Sequence, residues 1–162
     1  MLLPWKLFWL PAIGILGVVL VLAACGGASE PELPDTTEAS LLAYLEEADY
    51  QENWSLWPDS SEKYPGQDPH GALLTIRMND AASDAVGGAM PDGAIIVKEN
   101  HTPAGDLAAI TVMYKKSGYN PDHSDWFWLK NTTDGSDDRA GKLEGCQDCH
   151  VDGTDYVFGP QN

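Results

Sequence analysis

Near the C-terminus the chain reads Cys146-Gln147-Asp148-Cys149-His150, two thiols three positions apart with an imidazole immediately after the second. C-x-x-C-H is the attachment signature of c-type haem. Both thiols add to the vinyl groups of the porphyrin, and the adjoining histidine ligates the iron from the proximal side. Three other readings of the same residues compete. A Cys146–Cys149 disulfide would not require His150. A zinc site would need about four ligands, and beyond the motif no pair of cysteines remains to complete one. A thioredoxin-like pair would sit in a βαβ setting, which is missing here. The motif therefore predicts one covalently attached haem c, held by Cys146, Cys149 and His150.

The chain has three cysteines, and the third has a different setting. An uncharged run from Leu7 to Ala24 follows Lys6 and closes on Leu22-Ala23-Ala24-Cys25-Gly26. A basic start, an apolar middle and a small-residue end form a secretory signal. Its ending resembles the bacterial lipoprotein signal, in which the cysteine is acylated and becomes the mature N-terminus. The alternative is an uncleaved membrane-spanning helix. Residues 1–24 are expected to be a lipoprotein signal peptide, Cys25 the lipidation site, and 25–35 a flexible Gly/Ser/Pro/Glu-rich tether. Folded structure is expected over 36–162. Such a protein is expected to be anchored by lipid in the bacterial cell envelope, outside the cytoplasm, where haem c is assembled.

The 162 residues carry 9 Lys plus Arg against 25 Asp plus Glu, a net charge of −16. Loss of residues 1–24 removes Lys6 and makes it −17, and two ionised haem propionates would bring it to about −19. Nucleic acid is excluded as a partner, because so acidic a surface repels phosphate backbones. A basic soluble electron-transfer protein would instead be steered towards it.

The elements that must position the motif are largely strands. Asp35 and Glu38 resemble a capping box, and Leu41, Leu42, Leu45 and Ala48 follow at helical spacing. Trp54, Trp57, Pro58, Tyr64, Pro65 and Pro69 read as a loop packed on the domain. Four strand-like runs come next, 72–79, 94–100, 107–116 and 125–130, separated by Pro91-Asp92-Gly93, Pro103-Ala104-Gly105 and Asn120-Pro121-Asp122 turns. Residues 80–89 could add a short helix. The fold class is α+β, mainly antiparallel sheet with a few short helices.

Over residues 50–158 the chain resembles the family of cytochrome P-460 and cytochrome c′-beta. The resemblance lies in the order and spacing of Trp54, Trp57-Pro58, Pro69-His70-Gly71, Arg77 with Asn79, Pro91-Asp92-Gly93, Val97-Lys98-Glu99, Val112-Met113, Trp126, the haem motif and Asp155-Tyr156-Val157-Phe158. It implies an antiparallel fold, often dimeric, holding one haem against the sheet with an open or weakly occupied distal side. In hydroxylamine-oxidising members a lysine matching Lys98 is joined to the porphyrin, and a pocket arginine corresponds to Arg77. Those members also carry a distal carboxylate on the next strand as proton acceptor. Here that stretch, Thr111 to Lys116, holds no acid, and a proton-abstracting step without a positioned base loses roughly 10²–10⁴ in rate.

Met78, Met90, Met113, His70, His101 and His123 are candidates for a sixth iron ligand, with Met113 and His70 the foremost. The expected protein is a membrane-anchored mono-haem cytochrome that binds or oxidises a small redox ligand such as hydroxylamine or nitric oxide, with Arg77 polarising the ligand. The alternative is a pure electron carrier with both axial positions filled.

Overall fold

The computed structural model describes residues 32–160. The signal segment 1–24, the acylation candidate Cys25 and the tether up to residue 31 lie outside the described residues. Among those described, no helix is long and apolar enough to cross a membrane.

Elements follow in the order α1 (Glu38–Glu47), α2 (Tyr50–Asn53), β1 (Ser55–Leu56), β2 (Tyr64–Pro65), β3 (Leu73–Met78), α3 (Asp80–Ser83), β4 (Ile95–His101), β5 (Leu107–Lys115), a 3₁₀ turn (Pro121–His123), β6 (Trp126–Thr132), β7 (Arg139–Gly141) and α4 (Glu144–His150). All pairings are antiparallel in one sheet, ordered β1-β3-β4-β5-β6-β7, with β2 also on β3. The α+β expectation holds, and the four strand-like runs are the four long strands.

Side chains alternate between the two faces of a sheet. One face carries Ile95, Val97, Ile110, Val112, Tyr114, Phe127 and Leu129, and α1 covers it with Leu41, Tyr44 and Leu45. The other carries Ile76, Met78, Ile96, Met113, Trp126 and Trp128. Further along that second face the apolar cluster gives way to a cavity. Because β4 is central and covered on both sides, only Lys98 among its seven residues is not fully buried, which explains its nearly unbroken apolar start.

Local chemistry differs from expectation in three places. Thr37, not Asp35, caps α1: its hydroxyl accepts the Ser40 N–H (3.2 Å), while the Asp35 N–H donates to Ser40 Oγ (3.0 Å). The segment 80–89 is helical only over Asp80–Ser83, with Asp84 as its C-cap, and continues in turns to Gly87, whose left-handed backbone (φ 87°) bars a helix through the rest of the segment. Asn79 makes the most of that short helix. Its Oδ1 accepts N–H bonds from Ala82 (3.1 Å) and Ile95 (2.9 Å), and its Nδ2 donates to the Gly93 carbonyl (2.8 Å), which ties β3 to the start of β4. Finally, the tryptophan- and proline-rich stretch is mostly irregular, but α2, β1 and β2 are ordered within it.

Candidate haem site

The motif lies on α4, where Cys146, Cys149 and His150 stand at i, i+3 and i+4 and so share one helix face. Both thiols are free, and burial pushes the Cys146 thiol up. That face looks onto a cavity of about 760 Å³, lined by all three residues together with Lys98, Asn100, Ala109, Thr111 and Lys130 from the sheet and by the 64–71 segment including His70. The volume suits a cofactor-sized ligand.

His150 is held from several sides. Its ring packs against Trp128 (centroids 5.0 Å) and Phe158 (5.6 Å). Its Nδ1 lies 2.8 Å from the Tyr156 carbonyl oxygen, which can only accept, so Nδ1 carries the proton and Nε2 keeps its lone pair. A carbonyl bonded to the far nitrogen in this way fixes the tautomer and raises the ligand strength of the imidazole. Burial and the Lys98 charge together hold its pKa below the ordinary value, although the Tyr156 bond opposes them.

The carbonyl is set by a built turn. Asp155 and Tyr156 are consecutive non-glycine residues at φ 50° and 66°, a conformation costing of order 1 kcal/mol or more each. Asp155 offsets this through contacts: its carboxylate takes the Lys115 ammonium (2.7 Å) and the Met90 N–H (2.8 Å), and its carbonyl accepts the Trp126 indole N–H (2.8 Å).

Lys98 is on the cavity wall as expected, between Ile76 and Thr111 in register, and burial brings its pKa down to about 8. His70 also faces the cavity. Its Nδ1 lies 3.1 Å from Asn100 Oδ1, its ring centroid stands 6.3 Å from that of His150, and burial, followed by Lys98, lowers its pKa to about 4.

Arg77 requires a correction. It pairs in register with Val97, whereas its neighbour Ile76 pairs with Lys98, so strand alternation sends Arg77 and Lys98 to opposite faces. Arg77 lies on the α1 side, ion-paired to Glu62 and near Glu99 (3.7 Å), where it cannot polarise a ligand at His150's iron. Met113 is on the cavity-side face but is packed among the apolar residues around Trp126 and Trp128, and Thr111, two positions before it, takes the place on the wall. Met78 and Met90 belong to the same apolar cluster. His101 is on the far face beside Thr75 and Glu99, and His123 is 3.2 Å from the Tyr156 hydroxyl.

Sequence reasoning missed Asn100, the Tyr156 carbonyl as acceptor for His150, and Lys130 and Arg139 on the wall. Asn100 had a usable signal, since it stands two residues after Lys98 and must share its face. The remaining three depend on backbone paths that spacing does not reveal.

The site fits haem c. Two thiols and a tautomer-fixed imidazole share one helix face and line a single cavity of suitable size, which is the donor set that a c-type haem requires. Among the described residues there is no cluster of three or more His, Cys, Asp and Glu that could hold a bare metal ion. Comparison with curated proteins finds no match. The sequence pattern of the cytochrome P460 family, by contrast, matches residues 48–159, from the end of α1 through the motif and the turn that holds His150. Haem is the cofactor this match implies, and the chain belongs to the cytochrome P460 family.

Proposed function

We propose that this chain is a mono-haem c-type electron carrier of the bacterial envelope. Its haem is attached at Cys146 and Cys149, ligated by His150, and tethered to a membrane through acylated Cys25. The observation that carries this reading is the composition of the strand wall. Hydroxylamine oxidation asks for a ligand-polarising arginine and a proton acceptor. Arg77 is on the other face of the sheet, and β5 offers only Ala108, Ala109 and Thr111 to the cavity; the arginine that does line it, Arg139, is exposed and bonded to Asp137 (2.6 Å), and the lining carboxylates Asp68 and Glu144 are exposed as well.

Bound haem supplies a one-electron iron couple. The chain's own residues do the rest: Tyr156 fixes the donor nitrogen of His150, Trp128 and Phe158 exclude water from its flanks, and a low-dielectric surround tunes the potential. The acidic exterior favours a basic soluble partner.

A second reading, binding or oxidation of a small nitrogen species, is favoured by Lys98, a half-buried amine on the wall within electrostatic reach of both His70 and His150. Nitric oxide titration of the purified holoprotein separates the two. The carrier reading expects the ferrous spectrum to stay unchanged over the time in which a five-coordinate haem is saturated, and a free Lys98 peptide in a tryptic digest. Prompt nitrosyl formation with loss of that peptide would establish the second reading. The anchor is tested by Cys25→Ser, which should move the protein from the membrane fraction to the soluble one.

A further inference from the structure

We propose that His70 is the second axial ligand, binding the iron on the side opposite His150. The proposal deepens the electron-carrier reading and rests on it. His70 belongs to the turn between β2 and β3, with its ring on the same cavity as His150, and the two ring planes lie at 86° with centroids 6.3 Å apart. A metal–imidazole bond is about 2 Å and a ring nitrogen sits about 1.2 Å from its centroid, so two imidazoles flanking one metal ion stand roughly 6 Å apart.

The two rings are also prepared in the same way. His150 gives its Nδ1 proton to the Tyr156 carbonyl, and His70 has its Nδ1 on Asn100 Oδ1. Asn100 is oriented by its own bonds: its amide nitrogen donates to the Lys98 carbonyl (2.9 Å), and its oxygen also accepts the Gly71 N–H (3.2 Å). The asparagine oxygen therefore faces His70, Nδ1 holds the proton, and Nε2 is left with a free lone pair. A histidine whose far nitrogen is held by an amide or carbonyl oxygen is oriented as metal-ligating histidines are.

The backbone carries the ring to this place. A Cβ on Gly71 would come within 2.7 Å of His101 N and O, so the chain approaches β4 closely just after His70 and only glycine permits it. No other candidate is as well placed: Met113 is packed in the apolar cluster, His101 is on the opposite face, and His123 has Tyr156 as its neighbour.

The holoprotein, produced with haem loading, should give a low-spin ferric EPR spectrum of the large-gmax type that near-perpendicular imidazole planes produce. Pulsed EPR on protein labelled with ¹⁵N-histidine should count two axial imidazoles, and this measurement needs no substitution. His70→Gly should turn the iron high-spin, and added imidazole should restore the low-spin signal. A count of one imidazole, or an unchanged low-spin spectrum in His70→Gly, would overturn His70 while leaving a six-coordinate carrier with another ligand. A high-spin wild-type protein that takes up nitric oxide at once would remove both the ligand and the carrier reading.

Discussion

The turn that fixes His150 depends on one partly buried ion pair, and its removal has a calculable cost. In Asp155→Ala the Lys115 ammonium loses its carboxylate while its side chain remains only 13% exposed, and the Met90 N–H loses its acceptor. Truncating one partner of a buried pair costs about 3–5 kcal/mol. The Lys115 ammonium still lies 4.8 Å from the Trp126 ring centroid, which recovers on the order of 1 kcal/mol. The expected net loss is about 2–4 kcal/mol, equivalent to a fall in Tm of roughly 10 °C for a domain of this size. Denaturant unfolding of the holoprotein, followed by Soret absorbance and tryptophan fluorescence, measures it. Asp155→Asn keeps an oxygen for Met90 and should lose about half as much. Because the same turn presents the Tyr156 carbonyl to His150, and that bond strengthens the imidazole as a donor, the reduction potential should rise in Asp155→Ala. A loss under about 1 kcal/mol with an unmoved potential would refute the claim that this pair holds the turn.

Two further substitutions test the placement of the wall residues. Arg77→Met should leave the haem absorption spectrum and ligand affinity unchanged, because the side chain is across the sheet from the cavity; it should instead cost stability, as Glu99, 4% exposed, would lose a cationic neighbour. A shifted Soret band would contradict the register. Lys98 carries a pH signature. Its folded pKa of about 8 lies below the ordinary 10.5, so between these values the unfolded chain binds a proton that the folded chain does not, and stability rises with pH across that window. Lys98→Met should remove this rise and be the more stable form at pH 7, by up to about 3 kcal/mol, with the gain gone above pH 10.5; equal pH slopes for the two proteins would contradict the buried amine.

Much of this was legible in sequence because it is local. The period-2 runs gave the four long strands, and C-x-x-C-H gave three residues of the site. The side of the sheet on which a residue falls was harder. Arg77 and Lys98 are joined by register, and a choice of Val97 or Lys98 as the partner of Arg77 sends the arginine to opposite faces; the hydrophobic pattern of β4, apolar on both sides, leaves that choice open. Sequence reading put Met113 beside the cavity on the right face, but packing against Trp126 and Trp128 withdraws it. His70 is separated from His150 by eighty positions, and only the path of the 64–71 segment brings the two rings together. The role of Tyr156 rests on a carbonyl and a left-handed backbone, neither of which has a residue-type signature.

The central claim is that Cys146, Cys149 and His150 hold a single haem c in the cavity beneath the sheet. Intact mass spectrometry of the purified protein under denaturing, reducing conditions, paired with a pyridine haemochrome spectrum, tests it most directly. The account predicts one haem mass that survives denaturation, a haemochrome typical of two thioether links, and loss of that mass in a Cys146→Ala, Cys149→Ala double variant. A chain mass without haem, or a haem released by acidified organic solvent, would contradict it.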